Sequence, residues 1–200
     1  MKILGQIPED EFVSVFLQSE INSRRFGKRI AKALKNKPKR IITAPHLRNK
    51  HENQLRRKIL GEVRGFGRNK DLFENFPSNT RWYRATLSQQ ELKRVKYINY
   101  DYWNDLSNHS RLPIKAAKNI HADVKIFGVS NNIFRDIFSE IKKGKTFPPI
   151  ILVAKNKRSR LVILEGHARM TAYFLDSHHL PREMEVIVGF SNKMDAWDLY

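Results

Sequence analysis

Residues 147–175, with the sequence FPPIILVAKNKRSRLVILEGHARMTAYFL, decide the fold that we expect for this chain. They contain two short apolar runs, PPIILVA and RLVIL, separated by the turn-like segment KNKRS. Continuous apolar runs of this length are typical of buried strands. After Gly166 the apolar residues follow helical spacing, with Met170, Tyr173 and Phe174 on one face. The pattern predicts two strands joined by a tight connection and followed by a helix that begins just after the glycine.

The flanking segments extend this pattern into a domain of mixed class. Ser130 is positioned to cap a helix with an apolar stripe, and Gly144 is positioned to end it. The run MEVIVGF, residues 184–190, predicts a further strand. The order helix, strand, strand, helix, strand predicts an α+β or mixed α/β fold, in which a small sheet is flanked by helices.

The first half of the chain is predicted to be mainly helical. Apolar residues recur at helical spacing over residues 9–21 and 22–36 and again from Asn49 onward, whereas RIITAP, residues 40–45, is predicted as a short strand. Later in the chain, Arg81, Trp82 and Arg84 interleave basic and aromatic residues, which is typical of an edge strand with a packed tryptophan or of a base-stacking surface. We divide the chain into a basic, mainly helical N-terminal region, 1–75, and a domain with an aromatic-rich lead-in, 76–200, that pack as one unit.

Composition limits the class of protein. The chain has 200 residues, which suits one domain or one domain with an extension, and it contains no cysteine. Disulfides, cysteine-based zinc sites and thiol chemistry are therefore excluded. The start of the chain lacks the apolar core of a signal peptide, and no segment has the ~20 apolar residues of a membrane span. We expect a cytoplasmic protein that does not enter a membrane.

The net charge of +18 is concentrated in one segment. Residues 24–70 hold seventeen lysines and arginines but only two acids, Glu52 and Glu62. Such a field attracts polyanions, so it predicts contact with nucleic acid, although a basic surface also serves solubility. The residues that we expect to contact nucleic acid are Arg25, Lys28, Arg29, Lys32, Arg56, Arg57, Arg64 and Arg68.

The corner at Gly166 is the candidate binding site. The first N–H groups of a helix have no partner inside it, so a strand-to-helix corner favours phosphate. Arg169 is expected to clamp an anion, and Glu165 and His167 are the candidate catalytic residues, as acid, base or metal-orienting groups. The predicted phosphate-binding residues are Gly166, His167, Ala168 and Arg169. The alternative is structural: the glycine only forms a tight turn, and Arg169 pairs with Glu165 or with an acid elsewhere.

Residues ~130–190 resemble the core of the ParB/sulfiredoxin-like superfamily, whereas the N-terminal part resembles no characterised module. The positions that carry the resemblance are Pro149, Ile150 to Val153, Leu161 to Leu164, Gly166, Arg169 and Ala172. The resemblance implies that the corner binds the phosphates of a nucleotide. Sulfiredoxins carry a cysteine where this chain has His167, so their reaction is excluded. ParB proteins have Gly-Glu-Arg-Arg at the corner and the free serine kinases have Gly-His-His-Arg, and this chain has Gly-His-Ala-Arg.

These observations predict a nucleotide- or phosphate-binding ParB-like protein that associates with nucleic acid, with nuclease or NTPase activity as an open question. The alternatives are a small-molecule kinase resembling the free serine kinases and a non-catalytic nucleotide- or DNA-binding regulator. Any reaction is expected to be phosphoryl transfer or phosphodiester chemistry, with ATP, ADP or CTP as the nucleotide and Mg²⁺ on its phosphates. Arg64 and Arg68 are candidate additional phosphate clamps at the corner. No residue is predicted as a metal ligand, and the oligomeric state stays open.

Overall fold

The computed structural model describes residues 1–200 and has an α+β architecture, in which helices cover both faces of one five-stranded mixed sheet. The strands are β1 (Lys2–Ile7), β2 (Arg81–Ser88), β3 (Ile150–Ala154), β4 (Val162–Glu165) and β5 (Glu183–Phe190). The helices are α1 (Glu9–Glu20), α2 (Gly27–Ala33), α3 (Arg40–Thr43), α4 (Lys50–Arg64), α5 (Gln89–Leu92), α6 (Asp101–Leu106), α7 (Pro113–His121), α8 (Asn132–Lys142) and α9 (His167–Tyr173). The predicted mixed class of the fold is confirmed. None of the helices has the length and apolarity needed to cross a lipid bilayer.

The strands lie in the order β1-β2-β5-β3-β4, so the last strand of the chain occupies the centre of the sheet. β3 and β5 are parallel, with Ile150 opposite Val186, and all other neighbours are antiparallel. β3 and β4 form the hairpin that the two apolar runs predicted. The corner at Gly166 therefore lies beyond β4, next to the start of β3.

The side chains of β3 alternate between two separate cores. Ile151 and Val153 enter the first core, which also contains residues of α1, α2 and α4. Ile150 and Leu152 enter the second core, which contains residues of α7, α8 and α9. Successive residues of a strand point to opposite faces of the sheet. Because both faces are covered, β3 is apolar at every position, which explains its continuous apolar run.

Residues on both sides of the predicted boundary at residue 75 share the sheet and the first core. β1 pairs with β2 along its length, with Lys2 opposite Thr86 and Ile7 opposite Trp82. Phe12 of α1 stacks on Trp82, with ring centroids 3.7 Å apart and ring planes 5° apart. The helical N-terminal region is thus held against the sheet by backbone pairing and by aromatic packing.

The helix predictions over residues 9–21, from Asn49 and after Gly166 are confirmed, but the strand prediction for RIITAP is wrong. These residues form α3, a single helical turn that buries both Ile41 and Ile42. Successive residues of a strand point to opposite faces of the sheet, so a strand would bury either Ile41 or Ile42 against one core surface, but not both. The second predicted helix is also shorter than residues 22–36, because Ser23 Oγ accepts the Phe26 N–H in a turn before α2 begins.

β2 is an interior strand, and the expectation of an edge strand is wrong. The segment KILGQI, which was not predicted as a strand, forms β1 and covers the outer side of β2. Trp82 is only 2% exposed, packed between Phe12 and the neighbouring strands. A base-stacking role for Trp82 is therefore excluded, whereas Arg81, which precedes it, is exposed.

We predict that Phe12→Ala lowers the free energy of unfolding by about 3–5 kcal/mol, because it empties a fully buried ring site and removes the stack on Trp82. Urea denaturation followed by circular dichroism measures the change. Leu4→Ala, at a side chain of β1 that is 49% exposed, is the control and should change stability by less than about 0.5 kcal/mol. A loss below about 1 kcal/mol for Phe12→Ala would contradict this account of the packing.

Candidate functional site

Gly166 forms the corner between β4 and α9 in a conformation that requires glycine. Its φ is +101°, in the left-handed region that side chains with a Cβ rarely adopt. A Cβ at this position would lie 3.0 Å from Ile150 Cγ1 and 3.1 Å from Arg169 Nη2. The glycine therefore serves both the turn and the close approach of the Arg169 guanidinium.

The Arg169 guanidinium is occupied by internal partners. It is 7% exposed, pairs with the carboxylate of Glu165, donates to the carbonyl of Pro148 and donates to Ser19 Oγ at 3.0 Å. The pairing with Glu165 is the structural alternative that the sequence left open. Arg169 thus joins the start of α9 to β4, to the chain before β3 and to α1, so it offers an anion only the donors that these partners leave free.

Glu20, at the end of α1, places a second carboxyl beside this corner. It is 6% exposed, and its Oε1 lies 3.5 Å from Nε of Arg64, the last residue of α4. Burial raises the pKa of Glu20 to about 8, against the lowering effect of the Arg64 charge, and the charge of Glu165 raises it further. Burial therefore favours the protonated form of Glu20, whereas the neighbouring charge of Arg64 favours the ionised form.

His167 is held in an aromatic stack and is uncharged. Its ring lies 5.0 Å from the Trp103 ring and 6.0 Å from the Tyr97 ring, nearly parallel to both. Burial lowers the pKa of His167 to about 3, and the positive charges of Arg64 and Arg169 add to the effect. The low pKa disfavours the protonated form of His167, and its role as an acid or base stays a prediction from the sequence.

Three buried polar atoms at this end of the sheet have no hydrogen-bond partner: Glu20 Oε2, Arg64 Nε and His167 Nε2. They come from three distant parts of the chain. Arg64 perturbs the pKa of both Glu20 and His167, and Glu165 perturbs that of Glu20, so these groups lie within each other's field. Buried polar groups in proteins are nearly always hydrogen-bonded, so each unpaired one calls for an explanation, of which a missing ligand is one. We call Glu20, Arg64, Glu165, His167 and Arg169 the corner cluster.

The basic face of the N-terminal region adjoins the corner cluster through Phe26. The guanidinium carbons of Arg64, Arg25 and Arg29 lie 4.1, 5.0 and 5.9 Å from the centre of the Phe26 ring. Arg25 and Arg29 are exposed, and both act on the pKa of Glu20. A cation over an aromatic face is stabilised by the ring quadrupole. The two features singled out in the sequence, the corner and the basic segment, are therefore neighbours in the fold.

The other predicted nucleic-acid residues differ in position. Lys28 and Lys32 are exposed on α2. Ala168, which was predicted to bind phosphate, is half-buried against the second core. Arg57 is exposed but lies 2.8 Å from Asp10, and Arg68 is exposed and lies 3.8 Å from Glu62. Arg57 and Arg68 are thus partly neutralised on the surface.

Arg56 is fully buried, so its predicted contact with nucleic acid is wrong. It is 0% exposed, donates to the Ile41 carbonyl at 2.7 Å and pairs with Glu52 at 3.6 Å. Burial acts to raise the pKa of Glu52. Hydrogen bonding from Arg40 and the charges of Arg40 and Arg56 outweigh this effect and hold the pKa below its usual value. The charge of Arg56 is thus balanced by an ionised partner that fixes α3 to α4.

Arg64 differs from Arg56 in the state of its partner. Burial raises the pKa of Glu20, whereas Glu52 stays ionised, so Glu20 balances the half-buried charge of Arg64 less completely than Glu52 balances that of Arg56. A cation held away from water without a full counter-charge is costly, and an anionic ligand could supply that counter-charge. Arg64 is therefore the arginine of the corner cluster that is best placed to bind an anion.

Ser19 and Glu20 were not predicted as site residues, although the sequence holds a signal for one of them. Glu20 follows Phe16 by four residues, which places a carboxylate on the apolar stripe of α1. An acid on a buried face needs a partner, and such positions are functional candidates. No group of three or more His, Cys, Asp or Glu side chains that could hold a metal ion occurs.

Comparison with family models, with curated proteins and with solved structures finds no match. The resemblance to the ParB/sulfiredoxin-like superfamily therefore stays a prediction from the sequence, and the function has to be argued from the corner cluster itself.

We predict that Glu20→Gln stabilises the protein increasingly as pH rises. Between the ordinary glutamate pKa of 4.5 and the folded-state value of about 8, the folded protein binds more protons than the unfolded chain, so Glu20 makes stability fall with rising pH. The neutral glutamine removes this dependence. The variant should match wild type near pH 4.5 and exceed it by about 3–5 kcal/mol near pH 8.5, as measured by urea denaturation at each pH.

Glu62→Gln is the matched control, because it neutralises a carboxylate of α4 that pairs with Arg68 on the surface. Its stability difference from wild type should stay nearly constant with pH. A constant difference for Glu20→Gln as well would show that burial does not keep Glu20 protonated.

Proposed function

We propose that the protein binds a phosphate group of a nucleotide or nucleic acid at the corner cluster, with Arg64 as the main anion-binding side chain. The observation that carries the proposal is the half-buried Arg64 guanidinium, whose Nε has no hydrogen-bond partner and lies 3.5 Å from Glu20, a carboxyl whose pKa is raised by burial. A planar guanidinium fits phosphate oxygens in pairs, which a lysine does not.

The charge of the corner cluster favours a ligand of negative charge. Arg169 is balanced by Glu165, and both Glu20 and His167 are neutral near pH 7, so Arg64 leaves one net positive charge. Arg25 and Arg29 add two exposed cations around Phe26. In an interior of low dielectric constant, a charge of this kind attracts an anion more strongly than a surface charge does.

Membership of the ParB/sulfiredoxin-like superfamily is part of the proposal. The hairpin of β3 and β4, followed by Gly166 and α9, has the order of elements that the resemblance implies. The same resemblance implies a nucleotide at the corner. We propose ATP, ADP or CTP as the ligand, with Mg²⁺ bound to its phosphates as the cofactor. The proposed location of the protein is the cytoplasm.

We propose that the basic face of α2 extends this site toward nucleic acid. Arg25, Lys28, Arg29 and Lys32 are exposed together next to the corner cluster. A nucleic acid bound there would supply several phosphates at once, and one of them would reach Arg64. Binding without catalysis is the form that we propose, since burial disfavours the charged form of His167 and Glu165 is paired with Arg169. An assay of ATP, ADP or CTP turnover, with and without free amino acids, would reveal a kinase or NTPase instead.

We predict that Arg64→Ala weakens binding of ATP, ADP or CTP at least tenfold, because it removes the buried cation that the phosphate would neutralise. Isothermal titration calorimetry, with and without Mg²⁺, measures the affinity. Arg68→Ala, four residues further along the chain and paired with Glu62 on the surface, is the control and should bind as wild type does. Equal affinities for wild type and Arg64→Ala would contradict the assignment of the site.

We predict that the double variant Lys28→Ala/Lys32→Ala weakens binding to duplex DNA and lowers the slope of log affinity against log salt by about 1–2, since each phosphate contact contributes about 0.9. Fluorescence anisotropy over a range of salt concentrations measures both. The double variant Lys115→Ala/Lys118→Ala removes two exposed lysines of α7, which packs in the other core, and serves as control. Undetectable binding of DNA and RNA to wild type at low salt would refute the nucleic-acid part of the proposal.

A further inference from the structure

Glu20 is a buried carboxyl that lies among positive charges and whose pKa is nevertheless raised by burial. Oε1 faces Arg64 Nε at 3.5 Å, and Oε2 has no hydrogen-bond partner in the protein. An isolated buried hydroxyl without an acceptor is as costly as any other unpaired polar group. The arrangement places a carboxyl oxygen and a guanidinium nitrogen side by side, and neither Oε2 nor Nε has a hydrogen-bond partner.

The charged groups that face Glu20 come from every neighbouring element. They are Arg64 at the end of α4, Arg25 and Arg29 around Phe26, and Glu165 at the end of β4. The three arginines favour ionisation of Glu20, whereas burial and Glu165 oppose it, and burial is the largest effect. An ionised Glu20 would compete with any anion for Arg64, but a protonated Glu20 leaves Arg64 free and presents an O–H to the same space.

We infer that Glu20 binds the ligand phosphate as a hydrogen-bond donor, and that Glu20 and the bound phosphate hold one proton between them. The inference rests on the proposed function and adds to it a specificity-determining residue and the protonation state of the complex. A phosphate oxygen accepts from Glu20 and from Arg64 together, which fills Oε2 and Nε, the two unpartnered atoms. The negative charge of the phosphate, held beside Glu20, opposes loss of the shared proton.

Proton linkage follows from this arrangement. If only the protonated form of Glu20 binds, the apparent affinity is reduced by the fraction of protein that retains the proton. With the pKa of Glu20 at about 8, affinity should fall about tenfold between pH 7 and pH 9. Terminal phosphates, with a pKa near 6, are already fully ionised in this range, and His167, with a pKa of about 3, is neutral throughout it.

The test is calorimetric titration of ADP and CTP into the full-length protein at pH 7, 8 and 9, each in two buffers of different ionisation enthalpy. The dependence of the observed heat on the buffer gives the number of protons taken up on binding. Wild type should take up almost none at pH 7 and nearly one at pH 9. Glu20→Gln keeps an N–H donor that cannot ionise, so it should bind with no proton uptake and with the same affinity at all three pH values.

Glu62→Gln is the control and should keep the wild-type pH dependence, because its carboxylate lies by Arg68. Proton uptake and loss of affinity that persist unchanged in Glu20→Gln would overturn the inference and leave the proposed function in place. Failure of wild type to bind either nucleotide at pH 7 would overturn both. Should Glu20→Gln not fold, as judged by circular dichroism, the wild-type titration decides: absence of proton uptake at pH 9 overturns the inference.

Discussion

The guanidinium of Arg169 is the contact on which the rest of the site depends. It binds Glu165, the Pro148 carbonyl and Ser19, which lies 150 residues earlier in the chain. These bonds fix the end of α1 against the corner of β4 and α9. Breaking a buried ion pair by removing one partner is strongly destabilising, so the arrangement is rigid as well as specific. Because Ser19 is held there, Glu20 is carried next to Glu165 and within reach of Arg64.

The corner cluster therefore divides two tasks between two arginines. Arg169 is neutralised by Glu165 and serves the fold, whereas Arg64 lies 3.5 Å from Glu20, whose pKa is raised by burial. The incomplete neutralisation of Arg64 lowers the stability of the folded protein, and an apolar pair at the positions of Arg64 and Glu20 would avoid this loss. The proposed phosphate binding would account for this cost.

The sequence predicted the helices and strands around the site well, but it did not predict which residues from distant parts of the chain come together there. The apolar runs and Gly166 predicted the hairpin, the corner and α9, because each depends on neighbouring residues. RIITAP was misassigned because a short apolar run does not distinguish a strand from one helical turn. β1 was missed because Gly5 and the polar Lys2 and Gln6 obscure its pattern, and it forms only by pairing with β2, more than seventy residues away.

The arginines show the same limit. Arg56, Arg57 and Arg64 lie on one helix and are equivalent in a charge count, yet Arg56 is buried with an ionised Glu52, Arg57 is paired on the surface and Arg64 is held beside Glu20. Their roles depend on which carboxyl the fold brings to each. The Glu20 carboxyl was detectable on the apolar stripe of α1, but its partner and its protonation follow only from tertiary packing.

A crystal structure of the protein with ADP or CTP, obtained near pH 7, tests the central claim most directly. We expect a phosphate group whose oxygens lie about 2.7–3.2 Å from the Arg64 guanidinium and from a carboxyl oxygen of Glu20, with Arg169 still bound to Glu165. A nucleotide bound elsewhere, with Arg64 and Glu20 in contact only with each other, would contradict the account.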